Sequence, residues 1–183
     1  MTNINLHTDS VQFLKTFNER AEKELHGRRL CDLPIKEARS VIGKLLAPNT
    51  DEATAVPLPK LNVDISNSII NYEHDNDNIH LSIRIYAPRE HDHKLPVMLY
   101  FHGGGFAFGD AGLIDFGCQY LAANLPCRVI SVDYRKSPDF KFPTAHNDAY
   151  LATLYVAEHP EEFKSNGTIF VGGDSAGGNL ATS

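Results

Sequence analysis

The chain has 183 residues, of which 42% are hydrophobic and 22% charged, a balance typical of one globular domain and unlike that of a disordered or fibrous protein. Its 17 basic and 23 acidic residues give a formal charge of -6, and because the basic ones are scattered, this charge pattern argues against a nucleic-acid partner. The three widely spaced cysteines form no CxxC pair, so we expect neither disulfides nor structural zinc. The sequence also lacks a secretory signal and an apolar run long enough for a membrane span, so we expect a cytoplasmic protein without stable membrane insertion.

Two amphipathic helices are predicted ahead of any strand. Over residues 10–26 apolar side chains recur at helical spacing, and Asp9 or Ser10 precedes them as a candidate N-cap. A second helix is predicted between Asp32, its candidate N-cap, and Pro48, which ends it. Its apolar stripe consists of Ile35, Ala38, Ile42 and Leu45.

The segment that follows, residues 49–60, is rich in proline and acidic side chains, as is typical of a linker. We therefore predict an N-terminal helical segment at residues 1–48 and an α/β region at residues 60–183.

Strands in the first part of the α/β region are predicted at residues 61–65 or 68–72, and then at 79–86. The last of these alternates apolar and polar side chains, which indicates one solvent-facing side. The polar runs at residues 74–77 and 91–93 have the composition of metal ligands. Loops between strands share that composition, so the loop interpretation is favoured over a metal site.

Three short, mainly apolar runs occupy the second part of the α/β region, at residues 97–101, 128–132 and 168–171. Continuous apolar runs favour strands buried on both faces of a parallel sheet. Helical stretches at residues 113–124 and 144–159 separate them, so strands and helices alternate. This alternation predicts an α/β fold with a mostly parallel sheet and right-handed crossovers.

A serine turn follows the last of these strands, where residues 172–178 read GGDSAGG. This is the G-x-S-x-G pattern in the strand–turn–helix setting that a nucleophile elbow requires. The turn is so tight that side chains two residues before and after the serine would collide, which explains the glycines. The pattern predicts Ser175 as a catalytic nucleophile at the start of a helix. The alternative is a glycine-rich turn with an incidental serine.

A second glycine-rich loop, HGGG at residues 102–105, follows the strand at 97–101. Consecutive glycines leave backbone N–H groups free to converge on an oxygen anion, and the N–H of Ala176 is expected as a further donor. A phosphate-binding loop is the alternative. The G-x-G-x-x-G spacing and the G-K-[ST] ending are both absent, which disfavours nucleotide binding.

The two motifs, together with SVDYRKSP at residues 131–138, resemble the hormone-sensitive-lipase-like branch of the α/β-hydrolase fold, a carboxylesterase family with the HGGG signature. The resemblance covers about residues 60–183. It implies an α/β-hydrolase fold with a mostly parallel sheet, over which the N-terminal helices contribute a cap. It also implies small esters with short to medium acyl chains as substrates, and neither metal nor cofactor.

The resemblance assigns roles to several residues of the two loops. Gly104, Gly105 and Ala176 would supply the oxyanion hole, and Gly103 would help to shape the loop. His102 is interpreted as a residue that positions the loop, because in this fold the catalytic base follows the serine in chain order.

The sequence departs from the family pattern after Ser175. A complete triad runs Ser, then Asp or Glu, then His, but residues 176–183 contain neither a carboxylate nor a histidine. His146 and His159 precede the serine and are disfavoured as bases. We therefore expect a chain truncated after the nucleophile elbow, nearly inert alone, with an exposed apolar edge on the strand at 168–171.

Two other functions stay open at this point. One is an inactive fragment, and the other is a non-catalytic module that binds a small ligand on the same fold, as in the plant gibberellin receptors that resemble these enzymes. An intact serine together with an intact glycine loop favours the ester hydrolase, because a binding module does not need both.

Overall fold

A computed structural model of the chain describes residues 7–46, 59–74, 77–91 and 93–183. The chain divides into two compact units, Met1–Glu52 and Ala53–Ser183. Most of the predicted linker, residues 49–58, lies outside the described residues, as do Pro48 and part of each polar run considered as metal ligands.

The first unit contains two helices, α1 at Thr8–Leu25 and α2 at Ile35–Leu46, with a 3-10 turn at Leu30–Asp32 between them. The predicted caps are wrong at both helices. His7 is the N-cap of α1, because its side chain accepts the backbone N–H of Asp9, so neither Asp9 nor Ser10 takes that place. Asp32 belongs to the 3-10 turn, where the guanidinium of Arg29 binds both of its carboxylate oxygens.

The buried side of α2 follows the predicted helical period with one shift. Ala38 and Leu45 are buried as predicted, whereas Val41 is buried where Ile42 was expected and Ile42 is only half-buried. Lys44 Nζ lies 2.6 Å from Glu24 Oε2, an ion pair that joins α2 to α1.

The second unit is built on a five-stranded sheet with the order β1-β2-β4-β3-β5. The strands are β1 Val63–His74, β2 Asp77–Pro88, β3 Leu95–Phe101, β4 Arg128–Asp133 and β5 Ser165–Gly173. The two alternatives for the first strand merge into one long strand, β1. The pairings of β2 with β1 and β4 are antiparallel and those of β3 with β4 and β5 are parallel, so the sheet is mixed.

Helices lie on both faces of the sheet, as in other α/β folds. They are α3 Asp115–Asn124, α4 Thr144–Glu158 and α5 Ala176–Thr182. α3 packs on one face, where Cys118 and Ala122 meet Tyr86 and Val129. α4 and α5 pack on the other face, against the larger core cluster that contains Leu99 and Val132 of the central strands.

The prediction that three strands are buried on both faces holds only in the centre of the sheet. β4 is buried along its four middle residues, and β3 alternates between buried and half-buried residues. For β5 the prediction is wrong: Phe170 is 52% and Val171 44% exposed. Among the described strands only β3 pairs with β5, which leaves the other side of β5 uncovered, as expected for its apolar edge.

Candidate active site

The two glycine-rich loops start side by side because the strands that precede them are neighbours. β3 and β5 are parallel, and Phe101, the last residue of β3, pairs with Gly173, the last residue of β5. Parallel strands present their carboxyl ends at the same edge of a sheet. The HGGG loop and the serine turn, far apart in sequence, therefore leave the sheet at the same place.

Ser175 occupies the turn between β5 and α5 with a strained backbone. Its φ is 50° and its ψ -118°, a conformation that costs a residue other than glycine about 1–3 kcal/mol. The residue is exposed, and its side chain does not cap the helix that it precedes. Within the described residues the hydroxyl has no hydrogen-bond partner, so it is open to a molecule from solvent.

The glycines on either side of the serine are required by packing. A Cβ atom on Gly173 would lie 2.4 Å from the carbonyl oxygen of Phe101, and one on Gly177 would lie 1.8 Å from the same oxygen. Neither distance is possible between real atoms. The elbow is thus pressed against the end of β3, in agreement with the predicted collision of side chains at these two positions.

The HGGG loop depends on positive φ angles as well as on space. Gly104 has φ 123°, Gly105 φ 60° and Phe106 φ 59°. The backbone N–H groups of Ala107 and Phe108 both donate to the carbonyl oxygen of Gly104, at 3.1 and 2.9 Å, and close a tight turn. This turn reverses the chain directly after β3 and holds the loop at the sheet edge.

The backbone donors of the two loops differ in whether the protein already uses them. The N–H of Gly103 donates to Asp174 Oδ1 at 2.9 Å. By contrast, the N–H groups of Gly104, Gly105 and Ala176 donate to no acceptor within the described residues. Ala176 begins α5, where the first backbone N–H groups of a helix lack partners within the helix. These three donors are available to a bound oxygen anion.

Asp174, the residue before the serine, connects the elbow to the HGGG loop, and sequence reasoning missed it. Its Oδ1 accepts hydrogen bonds from the N–H of Gly103 at 2.9 Å and from the hydroxyl of Tyr100 at 3.0 Å. Burial and the nearby carboxylate both raise the pKa of Tyr100, so its hydroxyl stays protonated as a donor. Asp174 fills a variable position of the serine motif, and only the pairing of β3 with β5 brings it to Gly103.

His102 lies beneath the loop and is completely buried. Its Nδ1 lies 2.7 Å from the carbonyl oxygen of Gly103, and its ring stacks on Tyr134, whose hydroxyl donates to the carbonyl of His102 at 2.7 Å. Its Nε2 faces Asp133 Oδ1 at 3.9 Å. Burial alone would raise the pKa of Asp133, but His102 and Lys136 lower it further than burial raises it. Both ring nitrogens thus face groups other than the serine.

The other two histidines considered as bases are engaged elsewhere. His146 of α4 places Nε2 3.1 Å from Asn179 Oδ1 and stacks on the ring of Phe106. His159, at the end of α4, places Nδ1 2.8 Å from the carbonyl oxygen of Tyr155 and stacks on that residue's ring.

The described parts of the chain contain no group of three or more His, Cys, Asp or Glu side chains arranged to hold a metal ion. They also contain no helix that is long and apolar enough to cross a bilayer.

Residues 98–183 match the family described as the alpha/beta hydrolase fold. Among curated proteins the chain is 44% identical to the esterase LipI of Mycobacterium tuberculosis over 104 residues, which covers 55% of this chain and 32% of that protein. It is 37% identical to probable carboxylesterase 7 of Arabidopsis thaliana over 145 residues, 71% of this chain and 45% of that protein.

Two solved structures show the same architecture. An ester hydrolase from the metagenome of Lake Arreo is 28% identical, with a TM-score of 0.79, over 97% of this chain and 53% of that one. A hyperthermophilic esterase from the archaeon Pyrobaculum calidifontis is 32% identical, with a TM-score of 0.74, over 97% of this chain and 52% of that one. The chain thus spans about half of these structures and less of the curated relatives. The fold, the two motifs and these relatives agree: the chain has the α/β-hydrolase fold and is similar to carboxylesterases of the hormone-sensitive-lipase-like family.

Proposed function

We propose that the chain carries the nucleophile and the oxyanion hole of a serine carboxylic ester hydrolase. The observation that supports this most is the exposed, strained Ser175 at the sheet edge, next to three backbone N–H groups without protein acceptors. The proposed substrates are small esters with short to medium acyl chains, in keeping with relatives that are named as esterases.

In the proposed reaction, Ser175 Oγ attacks the ester carbonyl carbon while a histidine base takes its proton. The tetrahedral intermediate collapses, the alcohol leaves with that proton, and the acyl group stays on the serine. Water, activated by the same base, then attacks the acyl-enzyme and releases the carboxylic acid.

The oxyanion of the tetrahedral intermediate is assigned to the N–H groups of Gly104, Gly105 and Ala176. In acyl transfer, a donor of this kind lowers the activation free energy by about 2.7–4 kcal/mol. Gly103 cannot serve in the same way, because its N–H is bonded to Asp174. Its proposed role is to fix the HGGG loop to the serine turn. The proposed role of His102 is to hold the loop through the contact of its Nδ1 with the carbonyl oxygen of Gly103.

The proposed mechanism also needs a catalytic acid and a histidine base after the serine. Residues 176–183 contain neither a carboxylate nor a histidine. Removing the base from a serine hydrolase costs about 10⁶ in kcat, whereas oxyanion stabilisation and binding retain roughly 10³–10⁴ over water. We therefore expect Ser175-dependent hydrolysis only when both groups are present.

The test compares the 183-residue chain with a chimera in which the chain is joined to the C-terminal part of the Pyrobaculum esterase, which supplies the regions beyond its match to this chain. Each is prepared with Ser175 and as Ser175→Ala. Hydrolysis of p-nitrophenyl butyrate and labelling by a fluorophosphonate are measured. The chain should equal its alanine variant, and the chimera should exceed its own by several orders of magnitude.

Two results would contradict the proposal. Chimera activity that survives Ser175→Ala would remove the serine from the mechanism. Hydrolysis by the 183-residue chain that vanishes with Ser175→Ala would show that a base is already present, and alanine variants of His102, His146 and His159 would then identify it.

A further inference from the structure

A small cleft opens beside the HGGG loop, along the chain segment that leads into α4. Its volume is about 110 Å³, and four of the side chains that line it carry flat rings: Phe106, Phe140, Phe142 and His146. Lys141 and Ala145 complete most of the wall. Nothing in the ester hydrolysis proposed above uses this cleft.

The walls of the cleft are held in place by contacts that do not depend on a ligand. The carbonyl oxygen of Phe106 accepts the N–H of Ser137 at 2.9 Å, which fixes the turn after the glycines. His146 is tied through Nε2 to Asn179. A wall that is ordered before binding loses little conformational entropy when a ligand enters.

The Phe140 wall has its own support. The guanidinium of Arg135 lies 5.2 Å from the centre of the Phe140 ring and pairs with the fully buried carboxylate of Asp148, Nη2 to Oδ1, at 2.6 Å. One face of the Phe140 ring is therefore occupied by a cation within the protein.

The size and the rim of the cleft match one aromatic ring. An enclosed apolar cavity of about 150 Å³ accepts benzene, so an open cleft of about 110 Å³ takes one ring and little more. At the rim, Phe142 is 81% and Phe140 43% exposed, which leaves ring surface available for offset or edge-to-face contacts.

The charges around the cleft select among ring ligands. Its lining contains Lys141 and His146 but no carboxylate, and Arg135 stands behind Phe140. Lys141 would repel a cationic ring, and Arg135 already occupies one face of the Phe140 ring. We propose that this cleft binds a single aromatic ring that carries a negative charge or none. Because Phe106 directly follows Gly105, the bound ring would lie beside the oxyanion loop and belong to an ester substrate, a role that rests on the proposed function.

Binding is tested without catalysis, by ¹⁹F NMR titration of the chain with 4-fluorobenzoate and with the 4-fluorobenzylammonium ion. Benzoate should bind more tightly than the ammonium ion. Phe142→Ala should weaken benzoate binding by about two- to tenfold, the range expected for the loss of one aromatic contact. Lys141→Glu should reverse the preference between the two ions.

Tyr150→Ala is the matched control, because Tyr150 is an aromatic residue of α4 that is 66% exposed and does not line the cleft. It should leave both affinities unchanged. Ser175→Ala should also bind benzoate as the unchanged chain does, so a failure of ester hydrolysis and a failure of ring binding are separate results. Equal affinities for the two ions, no binding of benzoate, or an equal loss with Tyr150→Ala and Phe142→Ala would overturn the inference.

Discussion

The serine turn and the HGGG loop are both glycine-rich and both follow parallel strands, yet Gly177 of the first and Gly105 of the second are required for different reasons. At the serine turn, a Cβ atom on Gly177 would lie 1.8 Å from the carbonyl oxygen of Phe101. At the HGGG loop, a Cβ atom on Gly105 would meet nothing within 4 Å, but φ is 60°. Packing therefore excludes a side chain at Gly177, whereas only the backbone conformation disfavours one at Gly105, so the same substitution should have different costs at these two positions.

Asp174 lies between these two loops and joins them, since its carboxylate belongs to the serine turn and accepts the N–H of Gly103. Gly103 in turn has no room for a side chain, because a Cβ atom would lie 2.2 Å from Asp174 Oδ2. The two loops thus depend on one shared contact as well as on their separate constraints.

The largest effect is expected from Gly177→Ala. Its methyl group would overlap backbone atoms that no side-chain rotation can move, so we expect the free energy of unfolding to fall by more than about 3 kcal/mol. Urea denaturation followed by circular dichroism measures the change. Gly43→Ala is the matched control: Gly43 lies in α2 with open space around it, so alanine there should stabilise by about 0.5–1 kcal/mol. A small loss with Gly177→Ala would show that the turn can move away from β3.

The next effect concerns the contact that joins the loops. Asp174→Ala removes the acceptor for the Gly103 N–H and the Tyr100 hydroxyl, and should cost about 2 kcal/mol of stability. Amide hydrogen exchange at Gly103 should become faster in the same variant. Asp174→Asn keeps an oxygen acceptor and should retain most of the protection. If both variants exchange alike, the two loops are not coupled through this side chain.

A smaller effect is expected at the HGGG loop, from Gly105→Ala. With free space around the Cβ position, the only cost is a left-handed backbone, about 1 kcal/mol for alanine. Gly105→Asn should cost less, because asparagine tolerates this conformation better. Thermal unfolding ranks the two variants. An alanine cost as large as that of Gly177→Ala would refute the distinction between packing and conformation.

The smallest effect is a pH dependence of the support beneath the HGGG loop. The pKa of Asp133 is lowered in the fold, because His102 and Lys136 outweigh the effect of burial. A carboxylate with a lowered pKa contributes stability above its ordinary pKa of about 4, and loses it as the pH falls through the lower folded value. Asp133→Asn should therefore destabilise the protein near neutral pH, and its difference from the unchanged chain should shrink in acid.

Unfolding free energies between about pH 3 and pH 7 measure this difference. Asp64→Asn, at an exposed carboxylate paired with Arg89, is the control for general charge effects. A difference between Asp133→Asn and the unchanged chain that stays constant with pH would contradict the assignment.

Much of the fold was predictable because its signals are local. The alternation of apolar strands and helices after residue 97 and the two glycine motifs each come from a few neighbouring residues, and all appear in the structure. The caps of α1 and α2 were not predictable from the aspartates that the sequence offers. His7 takes the N-cap of α1, and Asp32 lies in the 3-10 turn before α2, where Arg29 binds its carboxylate. The burial of β5 was overestimated because burial depends on neighbouring elements, and only β3 pairs with β5 among the described strands.

The sequence by itself determined the nucleophile candidate, the glycine loop and the family resemblance, because each depends on a few contiguous residues whose chemistry permits few other uses. The tertiary structure alone decided which backbone donors stay free, how Asp174 joins the two loops, and where four rings form a cleft. These features combine residues from different strands and helices, and only the parallel pairing of β3 with β5 and the packing of α4 on the sheet bring them within contact distance.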